Sequence, residues 1–76
     1  MPVKLKLNQV SVNQCLRILL LPDLLRMELI RLGICEGDLV ECIAKIPGGP
    51  IVIKKKLQEI AIGQNFAKQI EVSIDD

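Results

Sequence analysis

The sequence contains no histidine, tryptophan or tyrosine, and Phe66 is its single aromatic residue. Without histidine there is no imidazole general base, no histidine zinc ligand and no imidazole pH switch. With one aromatic, base-stacking recognition of single-stranded nucleic acid is hard to build, and an aromatic cage for a quaternary ammonium is excluded. Long hydrophobic runs are also missing. The longest unbroken apolar stretch, Ile18–Leu21, stops at Pro22-Asp23, far short of the roughly 20 residues of a membrane helix. Met1–Val12 carries Lys4 and Lys6 but no apolar core of signal-peptide length. The expectation is a soluble cytoplasmic protein with no direct membrane insertion.

Charge of one sign is lacking too. Ten basic residues face nine acidic ones, a formal net charge of +1, so no global field steers the chain to nucleic acid or to an anionic surface. The three cysteines, Cys15, Cys35 and Cys42, form no CxxC pair and no zinc-ribbon spacing. They read as reduced thiols of a reducing compartment.

What the sequence does have is aliphatic mass: half of its 76 residues are apolar. That is enough for one small domain spanning 1–76 with a dense core, and it rules against disorder. Asn13-Gln14 reads as a turn, and Cys15–Leu21, almost wholly apolar and ended by proline, as a strand. Asp23 is placed to cap a short helix over Leu24–Leu32, whose Leu25, Leu29 and Leu32 share one face. Gly33 supplies its left-handed C-cap. Glu36-Gly37-Asp38 is a turn. A strand over Leu39–Ile46 follows, with Val40, Cys42, Ala44 and Ile46 on one side. Pro47-Gly48-Gly49-Pro50 is the strongest break in the chain. Strands over Ile51–Lys56, Glu59–Ile62 and Gln69–Ile74 complete the pattern, the last alternating Ile70, Val72 and Ile74 with Glu71, Ser73 and Asp75. Gly63–Lys68 fits a single turn, and Phe66 is expected to plug the core. The fold class is therefore mainly β, about five strands with one short inserted helix, and such a sheet buries its edges by closing into a small barrel.

The segments "LRMELIRLG", "ICEGDLVE", "IPGGPIVI" and "IAIGQNFAKQIEV" occur in that order. Their succession resembles the FeoA-like domain family, ferrous iron transport protein A. The matching positions are Leu29, Leu32, Gly33, Gly37, Gly48–Ile51, Ile60–Gly63, Ala67, Ile70 and Val72, and the resemblance runs from about residue 7 to 72. The chain departs from the family pattern at Asn13 and Leu57, where glycine is usual, and at Glu36, where proline is usual. The resemblance implies an SH3-like barrel. It also implies an accessory role in ferrous iron uptake, exercised on the cytosolic part of a membrane iron transporter that carries a G domain. The same domain type closes iron- and manganese-dependent repressors of the diphtheria toxin repressor kind. A free-standing metal-responsive regulatory module is therefore the alternative, although no winged-helix half is present here.

Candidate contact residues follow. Arg26, Met27, Ile30 and Arg31 lie on the helix away from the leucine stripe, an apolar pair among arginines that suits a protein surface. The hairpin Pro47, Gly48, Gly49 and Pro50 is a second element, since SH3-like barrels bind through loops and grooves. Gly48-Gly49 lacks a phosphate-loop pattern. Lys54, Lys55 and Lys56 form a basic edge, readable as protection against sheet aggregation, as docking for an acidic protein, or as a small nucleic-acid patch. Nucleic acid is not an expected partner, and self-association is left open. Cys35, Glu36 and Asp38 are the candidate ligands for a divalent transition metal, because thiolate and carboxylate both bind one. Their spacing supports no closed site, so no cofactor is expected beyond weak metal binding. With no nucleophile in a recognisable motif, the chain is not expected to be an enzyme.

Overall fold

The computed structural model describes residues 4–74. The readings that fall on Met1–Val3 and on Asp75 lie outside the described residues. Six strands are present: β1 (Lys4–Lys6), β2 (Cys15–Leu20), β3 (Leu39–Lys45), β4 (Ile51–Lys55), β5 (Gln58–Ile62) and β6 (Glu71–Ile74). Helix α1 spans Asp23–Arg31, the four-residue α2 spans Gln64–Ala67, and a single 3-10 turn covers Leu7–Gln9. All neighbouring strands are antiparallel, in the order β1-β6-β2-β3-β4-β5. The mainly β, SH3-like expectation holds, with a sixth strand added at the N-terminal side. The ends of the sheet, β1 and β5, do not pair with each other among the described residues, so the ring of hydrogen bonds is open there.

Alternation along the strands builds the core. Leu16 and Ile18 of β2, Val40 and Cys42 of β3, and Ile51 and Ile53 of β4 are all buried. Leu7, Val10, Leu21, Leu25, Leu29, Ile34, Ile62, Ala67, Ile70 and Val72 complete the cluster. Two irregularities limit the pattern. The β3–β4 register shifts between Cys42 and Ala44, which resets the alternation. Ala44 is therefore only half-buried, and Ile46, expected inside, is exposed. A second shift between Ile18 and Leu20 in the β2–β6 pairing leaves Leu20 exposed and turns Leu21 inward. Ser73, expected to face out, is buried, and β6 lies between β1 and β2 rather than at an edge.

Helix α1 differs at its start. Pro22, extended at φ −65°, occupies the cap position without a side-chain cap. Its carbonyl accepts the Leu25 and Arg26 N–H groups at 3.0 and 2.9 Å. Asp23 is the first helical residue, and its carboxylate accepts from Arg26 Nη1 at 2.7 Å instead of capping. The C-terminus is as expected. Gly33 sits at φ +86°, its N–H donates to Ile30 O at 3.0 Å, and the Ile34 N–H reaches back to Leu29 O at 2.8 Å. That pair of bonds is a Schellman closure, sealed by the buried Leu29 and Ile34.

At the 47–50 hairpin, Gly49 is needed for space. A Cβ there would lie 2.9 Å from Ile46 Cγ2. Gln64 Nε2 donates to Gly49 O at 2.9 Å and braces this loop against α2.

Candidate functional site

The side of α1 that turns away from the core carries an apolar row beside the exposed Glu28 and Arg31. Leu25 and Leu29 face inward, whereas Leu24 is 83%, Met27 61% and Ile30 48% exposed. An outward helix face is ordinarily polar, so a row of leucine, methionine and isoleucine beside Arg31 is the least explained surface of the fold. Met27, Ile30 and Arg31 thus lie where the sequence suggested. Leu24 was missed, because its place beside Leu25 reads as part of the buried stripe.

Arg26 behaves differently from its neighbours. Besides Asp23, its guanidinium donates to Leu21 O at 3.0 Å and Glu36 Oε2 at 3.3 Å. Glu36 Oε2 also accepts the Leu21 N–H at 2.9 Å. The Leu21 amide together with Arg26 holds the Glu36 carboxyl below the usual carboxylate range. Arg26 is thus committed to clamping the β2–α1 corner to the Glu36 turn. The glutamate that departs from the family's usual proline supplies the far half of this clamp.

Lys55 is committed as well. Its Nζ donates to Gly33 O at 2.6 Å and to Asp38 Oδ2 at 2.8 Å, tying the end of α1, the 35–38 turn and the β4–β5 hairpin together. Asp38 Oδ2 also accepts the Cys35 N–H at 2.8 Å. These contacts, Lys55 first, lower the Asp38 carboxyl's pKa. Lys54 and Lys55 lie in β4, between β3 and β5, which corrects the reading of Lys54–Lys56 as a sheet edge. Lys56 occupies the two-residue turn at φ +56°, followed by Leu57 at 97% exposure. Gly33, Lys55, Lys56, Leu57 and Gln58 line an open recess beside the helix end.

Cys35, Glu36 and Asp38 do not converge on one point. Glu36 reaches Leu21 and Arg26, whereas Asp38 reaches Lys55. No cluster of three or more metal-ligating side chains occurs among the described residues. The Pro47–Pro50 hairpin stands at the opposite end of β4 from the Lys56-Leu57 turn and the C-terminus of α1. The five residues of β4 between them span about 17 Å at the usual strand rise. The candidate contact residues therefore form two separate surfaces.

Phe66 does not plug the core. It is 37% exposed and lines a groove of about 150 Å³ between α1 and β5–α2, with Leu25, Leu29, Leu32, Ile60 and Ile62. Leu32, expected to be buried with the stripe, is 40% exposed for the same reason.

The model of the FeoA domain family matches residues 5–74. The chain belongs to that family. Two solved structures share its fold. One is a crystal structure of FeoA described as an iron uptake regulatory protein. It is 20% identical, with TM-score 0.83, covering 96% of this chain and 100% of that one. The other is an NMR structure of a FeoA-like protein from Clostridium acetobutylicum. It is 22% identical, with TM-score 0.78, covering 97% of this chain and 90% of that one. A comparison with curated proteins found no match. FeoA domains are small accessory domains associated with ferrous iron transport, not a known enzyme family. No described helix of this FeoA domain is long and apolar enough to cross a membrane.

Proposed function

We propose that this FeoA domain is a cytoplasmic accessory of ferrous iron transport, acting by protein contact with the cytosolic, G-domain-bearing part of a membrane iron transporter. The observation that supports this reading most is the outward apolar row of α1. Leu24, Met27 and Ile30 are exposed on a helix whose two ends are fixed by the Arg26–Glu36 clamp and the Schellman closure. A rigid helix presenting aliphatic anchors with an arginine beside them fits helix-face recognition, in which a few central apolar residues carry most of the binding energy. The chain has no tyrosine or tryptophan with which to build the aromatic groove that holds a proline-rich peptide. Contact through the helix face suits its composition better.

The test is titration of the transporter's cytosolic domain with this chain, by calorimetry or by amide chemical shifts. Met27→Glu and Ile30→Glu, both at exposed positions, are expected to leave the fold intact and weaken binding by about tenfold or more. Substitutions at Pro47–Pro50 that preserve the hairpin are expected to weaken it far less. Absence of binding at tens of micromolar, with both partners folded, refutes the reading. So does binding that is indifferent to both glutamate variants.

A further inference from the structure

The sheet ends at β5, and the geometry of its free edge follows from the turn before it. Lys55 and Gln58 are directly paired across a loop of two residues, Lys56 and Leu57. A pair that closes a two-residue loop exchanges both of its hydrogen bonds. Gln58, Ile60 and Ile62 therefore spend their N–H and C=O groups on β4. The N–H and C=O groups of Glu59 and Ala61 point the other way. No strand or loop among the described residues takes them up. Glu59 and Ala61 are exposed and Ile60 is half-buried.

We propose that this edge is a self-association site, at which a second copy of the chain pairs its own β5 antiparallel about a two-fold axis at Ile60. The unspent groups are symmetric about that residue. Pairing Glu59 with Ala61 of the second copy, and Ala61 with its Glu59, joins two hydrogen-bonded pairs and satisfies every outward group of the strand. Ile60 then faces its own counterpart as the closer, non-hydrogen-bonded pair. Side chains agree with the register. Glu59 meets alanine instead of another glutamate, and Gln58 meets Ile62. On the inner side Ile60 brings the groove walls Leu32 and Phe66, both partly exposed, to the joint. The two-fold makes the contact isologous and closed.

The other sheet end is unsuited to the same use. Antiparallel self-pairing of β1 about Leu5 sets Lys4 against Lys6 twice, and like charges directly opposite are destabilising. Charged edges of that kind are a common guard against association. β5 carries no such guard at its centre. The contact is small, so it gives a weak dimer, with Kd on the order of 0.1 mM. The contact uses the backbone edge of β5 and not Leu24, Met27 or Ile30, so the inference stands independently of the transporter reading.

Two measurements decide it. Sedimentation from about 20 µM to about 1 mM is expected to follow a monomer–dimer equilibrium. In Ala61→Pro that association is expected to weaken at least tenfold, because proline removes an outward N–H without touching the β4–β5 ladder. Amide hydrogen exchange of the unaltered chain over the same range supplies a readout that needs no variant. The Glu59 and Ala61 amides are expected to slow as the dimer fraction rises, while the already bonded Gln58 and Ile60 amides change little. A monomer throughout, assemblies beyond the dimer, self-association unaffected by a folded Ala61→Pro, or Glu59 and Ala61 exchange independent of concentration each overturns the proposal. Should Ala61→Pro not fold, the exchange experiment alone decides.

Discussion

Replacing Gly33 by alanine isolates the backbone at the end of α1, because the structure removes the competing explanations. At φ +86° the residue is left-handed. An added Cβ finds only Gln58 Oε1 at 3.7 Å, ordinary van der Waals contact, so no steric collision contributes. The cost is then the left-handed conformation of an L-residue, about 1–2 kcal/mol. Against it stands the smaller conformational entropy of the unfolded chain, worth about 0.4–1 kcal/mol. The net loss is about 1 kcal/mol, which for a domain of this size lowers Tm by about 4–8 °C. Gly33→Asn is expected to lose about half as much, because asparagine tolerates the left-handed region. Urea unfolding of the three proteins, read by far-UV circular dichroism with a common m-value, gives the comparison. The Gly33 carbonyl still accepts from Lys55, so the β4–β5 hairpin keeps its anchor in every variant. A Gly33→Ala protein as stable as the parent refutes the argument, as does an asparagine variant worse than the alanine one.

The acid limb of stability is a second test. Asp38 is held below its ordinary pKa by Lys55 and the Cys35 N–H, and Glu71 is lowered chiefly by Lys6. A carboxylate lowered on folding contributes stability that is fully present above its unfolded value, near 4, and lost as pH falls through the folded value. The urea midpoint should therefore fall from about pH 5 to pH 2, and less steeply in Asp38→Asn. An unchanged slope in that variant contradicts the Lys55 contact. Thiol chemistry gives a third. Cys15 and Cys35 are exposed and Cys42 is buried, with burial raising its pKa. An aromatic disulfide reagent should label Cys15 and Cys35 in the native protein, and Cys42 about a hundredfold more slowly or only on unfolding. Equal rates at all three positions refute that burial.

Much of the fold could be read from residue order, since period and punctuation agree. β2 stops two residues before Pro22, α1 closes at Gly33 and the β3–β4 hairpin turns at Pro47–Pro50, each boundary marked by a residue of special backbone geometry. β1 was not legible, because the alternation of Lys4–Lys6 covers only three residues and the segment owes its strand conformation to pairing with β6. The two register shifts were hidden for a related reason: each depends on the partner strand, so Ile46 and Leu20 emerge where strict alternation places them elsewhere. At the site, the exposure of Met27 and Ile30 followed from the leucine stripe. The commitments of Arg26 and Lys55 did not, because their partners Glu36, Asp38 and the Gly33 carbonyl are brought up by turns. Phe66 and Leu32 misled for the opposite reason. Residues that wall a groove are as apolar as those that fill a core.

The position of β6 between β1 and β2 bears on how the chain is made. Lys4 pairs with Ser73, and Leu16 with Ile74, so the β1 end of the sheet joins residues from distant parts of the described chain. Loop closure of that span comes before any reward from its contacts. The consecutive run β3–β4–β5 has no such delay and is the natural place for order to begin. On the ribosome, β1 and one side of β2 wait without their neighbour until Ile74 has cleared the exit tunnel. A stalled nascent chain lacking β6 would display two unsatisfied strand edges, the condition in which chaperones engage and neighbouring polypeptides aggregate.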